Sequence, residues 1–349
     1  MERASEPGCL LAGQLLTQSP QFFHQVQQRT IDGAPSRRTK VAAGEAKQQR
    51  YCIYIFNSLY YALLFIFREE GALRFPWLLF LLLLGIVSSA VAQNEPADDS
   101  YFGTWFERVS RTQAEQPHWI TPLFTTTPRL EEEVRYDIGW QNTARGNVTN
   151  FGSGKGLEFI PSERTEIIVS PPPYFSHQNP TQRDGFGDTS FLLKYRLAAG
   201  NEEAGNYIVT AFLGGSIPTG SYSNGAENAV VTPTIALGKG WGAFDVQSTL
   251  GIAVPVGDIA RLGTSLAYNT AVQYHLLRKL WPELEVNGNL FHDGKNDGKQ
   301  QVFLSPGLVV GKIHLWRRLG LTVGAGEQIA VTRFHTFNHN RVLSVRFPF

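Results

Sequence analysis

The residues that could do chemistry sit mostly two apart. Glu131, Glu133, Arg135 and Asp137 share one parity, as do Lys194 with Arg196 and Glu283 with Glu285. Glu158, Arg164, Glu166, Asp245 and Arg346 fall on similar stretches. In an extended chain successive side chains point to opposite faces, so this spacing gathers the charges on one face. Mixed charge on one enclosed face can pair across strands and fill the space. It can also ring a constriction and set the selectivity of a pore. Catalysis fits poorly. His275 and Ser265 share a face, but ten residues of strand put them roughly 33 Å apart, too far for a dyad. His335 and His339 lack a third ligand for a metal. Asp293–Gly298 has Lys295 where a calcium loop needs an oxygen, and it reads as a turn. No catalytic residue, metal or cofactor is expected.

What must position these residues is a set of strands. Leu262–Leu276 alternates cleanly: Leu262, Leu266, Tyr268, Val272 and Tyr274 on one face, Ser265, Asn269, Gln273 and His275 on the other. Such alternation recurs in twelve segments: 129–141, 154–161, 164–171, 187–198, 206–218, 229–239, 242–254, 262–277, 281–291, 300–313, 318–332 and 340–349. Many exceed the five or six residues usual in soluble sheets and approach the 9–11 or so that cross a bilayer at a tilt. The count is even, as single-chain outer-membrane barrels require. Short connections (161–164, 198–206, 239–242, 277–280, 312–319) alternate with long ones (142–153, 172–186, 219–228, 255–261, 292–299, 333–339), the asymmetry of periplasmic turns and outer loops. The expected fold is all-β: an antiparallel transmembrane β-barrel of about twelve strands at 129–349. The rival reading is a secreted sandwich or soluble barrel. It fits the lengths less well, and its polar face would carry Lys and Glu rather than Gly, Ser, Asn and Gln. Trp241, Trp281 and Trp316 lie beside short turns, a partial aromatic girdle. Glu327 shares parity with Leu321, Val323 and Ile329, so it calls for a bulge or a place near the outer interface.

The rest of the chain agrees. It has 349 residues, 31 Lys+Arg against 30 Asp+Glu, and two Cys, too balanced for a nucleic-acid partner and too few Cys for a disulfide scaffold. Arg74, the apolar run Phe75–Val87 and Ala90-Val91-Ala92 compose a signal peptide at 72–92, cleaved after Ala92. Residues 1–71 ahead of it read as a start placed too early, or as an N-terminal extension with a membrane helix at 51–67. Cleavage would remove both Cys, as suits an oxidising envelope. Residues 93–128 hold Tyr101, Phe102, Trp105, Phe106 and Trp119, and are expected to pack as a periplasmic segment or plug.

Gly185–Leu197 (GFGDTSFLLKYRL), preceded by Pro172-Pro173-Tyr174, resembles the MetA-pathway of phenol degradation family of outer-membrane barrels. The resemblance spans roughly 129–349 and implies uptake of aromatic or other hydrophobic compounds; it supplies no catalytic residues. The reading is therefore an outer-membrane channel for small, hydrophobic or aromatic solutes. Its partners would be outer-membrane lipid, the solute, and the barrel-assembly machinery reading the C-terminal Phe349. A structural or adhesion barrel with an occluded lumen is the alternative, and an outer-membrane lipid-modifying enzyme the third. The lumen-lining candidates are Glu131, Glu133, Arg135, Asp137, Glu158, Lys194, Arg196, Asp245, Glu283, Glu285 and Arg346.

Overall fold

The computed structural model describes residues 100–152 and 155–349. The signal peptide expected at 72–92, its cleavage after Ala92 and the stretch 1–71 lie outside the described residues.

A helix, α1 (Trp105–Ala114), precedes the strands. The strands are β1 (Glu133–Thr143), β2 (Gly146–Phe151), β3 (Gly156–Ser162), β4 (Thr165–Ser170), β5 (Tyr174–His177), β6 (Gly185–Phe186), β7 (Thr189–Gly200), β8 (Tyr207–Ile217), β9 (Val230–Trp241), β10 (Phe244–Pro255), β11 (Thr264–Tyr274), β12 (Leu280–His292), β13 (Gln300–Trp316), β14 (Leu319–Ala330) and β15 (His339–Pro348). Twelve of them form a closed antiparallel ring in the order β1, β3, β4, β7 and then β8 through β15. β15 closes on β1 from Glu133↔Pro348 to Asn142↔His339. Each ring strand falls on one of the twelve alternating segments. Closure gives every spanning strand two neighbours, which is how a barrel avoids exposed edges.

Two details depart from the sequence reading. The first strand begins at Glu133 rather than 129. The long connections at 142–153 and 172–186 also carry β2, β5 and β6, where only loop was expected. β2 pairs with the upper half of β1, β5 with β2, and β6 with β5. These stretches are too short to show a period of their own. They are ordered by the end of β1 that projects past β3, since β3 meets β1 only over Glu133–Arg135.

Short turns lie at one end of the ring, with the start of β1 and the chain's last residues. Gly242 and Ala243 join β9 to β10 with Trp241 opposite Phe244, and Gly242 takes φ +59, which glycine adopts without strain. Longer connections all lie at the other end.

The outward face is apolar around the ring. Phe191, Leu193, Tyr195 and Leu197 are 41–48% exposed, while Lys194 between them is 0% exposed. Leu213, Ile235, Leu250, Val272, Leu284, Leu308 and Leu343 continue the belt. Monomeric soluble proteins rarely leave contiguous apolar patches beyond a few hundred Å², so this surface disfavours the sandwich reading. Trp241 and Trp316 are exposed beside their turns. Trp281 corrects the expected girdle: it shares parity with Glu283, is buried, stacks on His275 at 4.0 Å between ring centroids, and belongs to one buried cluster with Trp119, Leu123, Ile208 and Val309. Glu327 needs no bulge at its own position. It lies opposite Arg341 near the long-loop end of β14 and pairs with it at 3.1 Å, and with His339 at 3.2 Å.

Replacing Leu250, at the middle of β10, with Arg tests the lipid belt. Unfolding titrations in lipid vesicles should show a loss of about 2–4 kcal/mol. A loss under about 0.5 kcal/mol, usual for an exposed position in water, counts against it.

Candidate functional site

The interior of the ring is occupied by the chain's own residues 115–132. α1 lies across the short-turn end. Arg111 pairs with Glu163 at 2.9 Å, Asn201 Nδ2 donates to the Ala114 carbonyl, and the Arg318 guanidinium donates to Ser110 Oγ at 2.7 Å. The chain then turns into the lumen past a neck where Gln116 Nε2 donates to the Leu130 carbonyl and the Leu130 amide donates back to Gln116 Oε1, at 2.8 and 3.0 Å. Between these points the backbone climbs to about Thr126 and returns.

This stretch is neither helix nor strand, so its amides and carbonyls have no ladder, and an unpaired buried group costs about 1–3 kcal/mol. The strands supply the partners. Glu283 Oε1 accepts from the Leu123 amide at 3.0 Å, and the Glu285 carboxylate accepts from Phe124 and Thr125 at 2.8 and 2.5 Å. Arg135 donates to the Pro122 and Leu123 carbonyls at 3.2 and 2.5 Å. Arg346 donates to Pro122 at 3.1 Å and to Thr121. Lys194 Nζ donates to the Arg129 carbonyl and Thr210 Oγ1 to that of Pro128.

Small residues on the wall make room for the large ones. A Cβ on Gly307, Gly324 or Gly326 would stand 2.6–2.7 Å from the Leu123 side chain. One on Gly238 or Gly240 would stand 2.5–2.6 Å from the Trp119 ring. The inward glycines of β9, β13 and β14 are therefore seats for Trp119 and Leu123.

The eleven charged positions singled out above are all buried. Arg135 and Arg346 lie opposite each other on β1 and β15, and Arg135 also holds Asp137 at 2.7 Å. Glu133 faces Glu158 across β1 and β3. Lys194 pairs with Glu166 at 2.8 Å. Asp245 accepts from Gln247, itself bonded to the Ile120 carbonyl and to Gln273. Glu131 lies on the inserted stretch rather than on a strand, pairing with Arg129 at 2.8 Å. Arg196 lies at the mouth, donating to the Thr112 carbonyl and to Glu115. Sequence reasoning did not single out Gln116, Gln247 and Gln273 as partners, or the glycine seats; inward parity was the available signal for the strand residues, while Gln116, on the irregular stretch, offered none.

Two anchors lie outside the spanning strands. Burial pushes the Glu132 carboxyl above the ordinary range, against hydrogen bonds from the Trp105 indole and the Ile160 amide. Partial burial also pushes Glu202 up, but bonds from the His118 amide and ring outweigh it and leave it below the ordinary value.

The inserted stretch divides the interior. On the long-loop side is a chamber of about 500 Å³, floored by Leu123, Phe124 and Thr126. On the short-turn side is one of about 370 Å³, roofed by Thr121, Arg129 and Arg346. His335 and His339 take no part: the first bonds Thr332 and Asn338, the second Glu327.

Residues 122–335 match the family described as "Putative MetA-pathway of phenol degradation". No curated protein matches the chain. Among solved structures, the chain is similar to an outer membrane channel from Pseudomonas putida F1 at 14% identity and TM-score 0.44, over 66% of this chain and 100% of that one. It is similar to the NanC porin at 9% identity and TM-score 0.41, over 62% and 98%. It is similar to outer membrane phospholipase A from Escherichia coli at 15% identity and TM-score 0.35, over 63% and 98%.

Glu285→Ala strips the Phe124 and Thr125 amides of their acceptor. Removing one partner from a buried charged network costs about 3–5 kcal/mol, so hydrogen exchange at residues 123–125, measured by mass spectrometry, should accelerate by at least a hundredfold while the β8–β11 amides stay protected. Unchanged exchange at 123–125 would show that the carboxylate does not hold the segment.

Proposed function

Because the chain belongs to the MetA-pathway of phenol degradation family, we propose that it is an outer-membrane channel for small molecules, closed at rest by its own residues 115–132. The apolar belt supports membrane insertion, and the asymmetry of short turns and long loops supports an outer-membrane orientation with α1 on the periplasmic side. The observation that carries the reading is the pair of chambers on one axis with a single irregular stretch between them. Irregular backbone at membrane depth occurs where it is buried in protein or lines a water-filled cavity. The family's phenol pathway points to aromatic or otherwise hydrophobic solutes. The amide-rich upper chamber adds that the solute also makes hydrogen bonds. The lumen-facing charges Glu133, Glu158, Lys194, Asp245, Glu283 and Arg346 would then border the path once the stretch moves.

A permanently sealed structural barrel is the second reading, favoured by how completely Glu283, Glu285, Arg135 and Arg346 satisfy the inserted backbone. One experiment separates the two. Single-channel recording in planar bilayers should give small, infrequent openings for the full chain and large, steady ones after deletion of residues 100–128. A deletion protein that is folded by heat-modifiable gel mobility yet never conducts would reject the channel.

A further inference from the structure

The upper chamber carries more polar chemistry than closure of the barrel requires. From β11 to β15 its wall is an array of carboxamides joined edge to edge. Asn340 Nδ2 donates to Gln328 Oε1 at 2.9 Å, Gln328 Nε2 to Asn287 Oδ1 at 3.3 Å, and Asn287 Nδ2 to Asn269 Oδ1 at 3.2 Å. Cross-strand register places these groups side by side: Asn269 opposite Asn287, Asn289 opposite Gln301, and Gln328 opposite Asn340. Two members keep an oxygen without a partner. Gln301 and Asn340 are 7% and 8% exposed, yet Gln301 Oε1 and Asn340 Oδ1 accept no hydrogen bond from the protein. Native interiors leave few such atoms, and each points to a group that completes it. Part of the same chamber is apolar. Phe337, from the loop between β14 and β15, stacks on Phe303 at 4.4 Å between ring centroids, and Val342 lies beside them in the lining.

We infer that this chamber is a binding site for a six-membered ring bearing two or more hydroxyl groups, held by its hydroxyl edge on Gln301 and Asn340 and by a ring face near Phe337. One of the two cations in the lining is paired, Arg135 with Asp137 at 2.7 Å, while the buried Lys155 Nζ has no hydrogen-bond partner in the protein and is a further donor facing the chamber. Carboxamides suit hydroxyl groups as both donors and acceptors, and an ammonium adds a donor. A ligand with one hydroxyl would displace water from the amides without replacing its bonds. About 500 Å³ lies within the range of roughly 300–1,000 Å³ typical of small-molecule pockets. The inference rests on the proposed function only in taking the chamber to be reachable by solute; it does not need conduction.

The test is calorimetry on the full chain in detergent micelles with glucose, maltose, catechol and phenol as probes. At least one of the first three should bind tenfold or more tightly than phenol, and which one does identifies the source as sugar or hydroxylated aromatic. Gln301→Leu and Asn340→Leu should each weaken that binding about tenfold, the worth of one hydrogen bond near the upper end of its range. Phe337→Ala, in a loop outside the ring, should weaken it without threatening the fold, which heat-modifiable mobility checks. Binding of phenol as tight as that of the other probes, no binding by any probe, or binding indifferent to all three substitutions would overturn the inference. A chain that binds but never conducts leaves it standing and rejects the channel instead.

Discussion

The structure depends on how an irregular stretch of backbone is kept satisfied inside a closed ring. Residues 121–125 have no ladder of their own. Their carbonyls are held by Arg135 and Arg346, their amides by Glu283 and Glu285. The carboxylates come from β12 and the guanidinium groups from β1 and β15, so the stretch is gripped from both sides of one hemicylinder. Hydrogen bonds to charged groups are worth roughly 1.5–3 kcal/mol each, about twice the neutral kind. The cost of burying these ions is offset because the peptide dipoles and the opposite charges solvate them. The same charges would be hard to rationalise in an empty wall.

The glycines follow from this arrangement. Gly307, Gly324 and Gly326 are inward positions where a methyl group would collide with Leu123. The high Gly content of the inward face is therefore complementarity to a specific insert as much as a general property of barrels.

Much of the ring was legible in the sequence because period two is a strong signal when sustained over ten or more residues. Leu262–Tyr274 and Phe244–Val254 show it fully, and the registers of β10, β11 and β12 follow it without a shift. The parity of the charged residues was legible for the same reason. Trp281 was misplaced because a tryptophan near a turn suits either face, and Trp119, which shares its buried cluster, lies 162 residues earlier. β2, β5 and β6 escaped because segments of two to six residues have no measurable period. The path of residues 115–132 could not be read at all. Their aromatic residues said that they must pack somewhere, but their hydrogen-bonding partners are single side chains scattered over seven strands. The carboxamide array was hidden differently: Asn and Gln at inward parity look like ordinary lumen lining until the register joins them.

The neck formed by Gln116 and Leu130 has a topological consequence. The insert goes in and comes out through the same mouth, as a loop whose two ends stay beside the short turns. No free end has to be drawn through the ring. The strands can close before the loop is seated, and the loop can leave and return while every strand pairing stays intact. The wall and its stopper are thus separable in time, though they are one continuous chain.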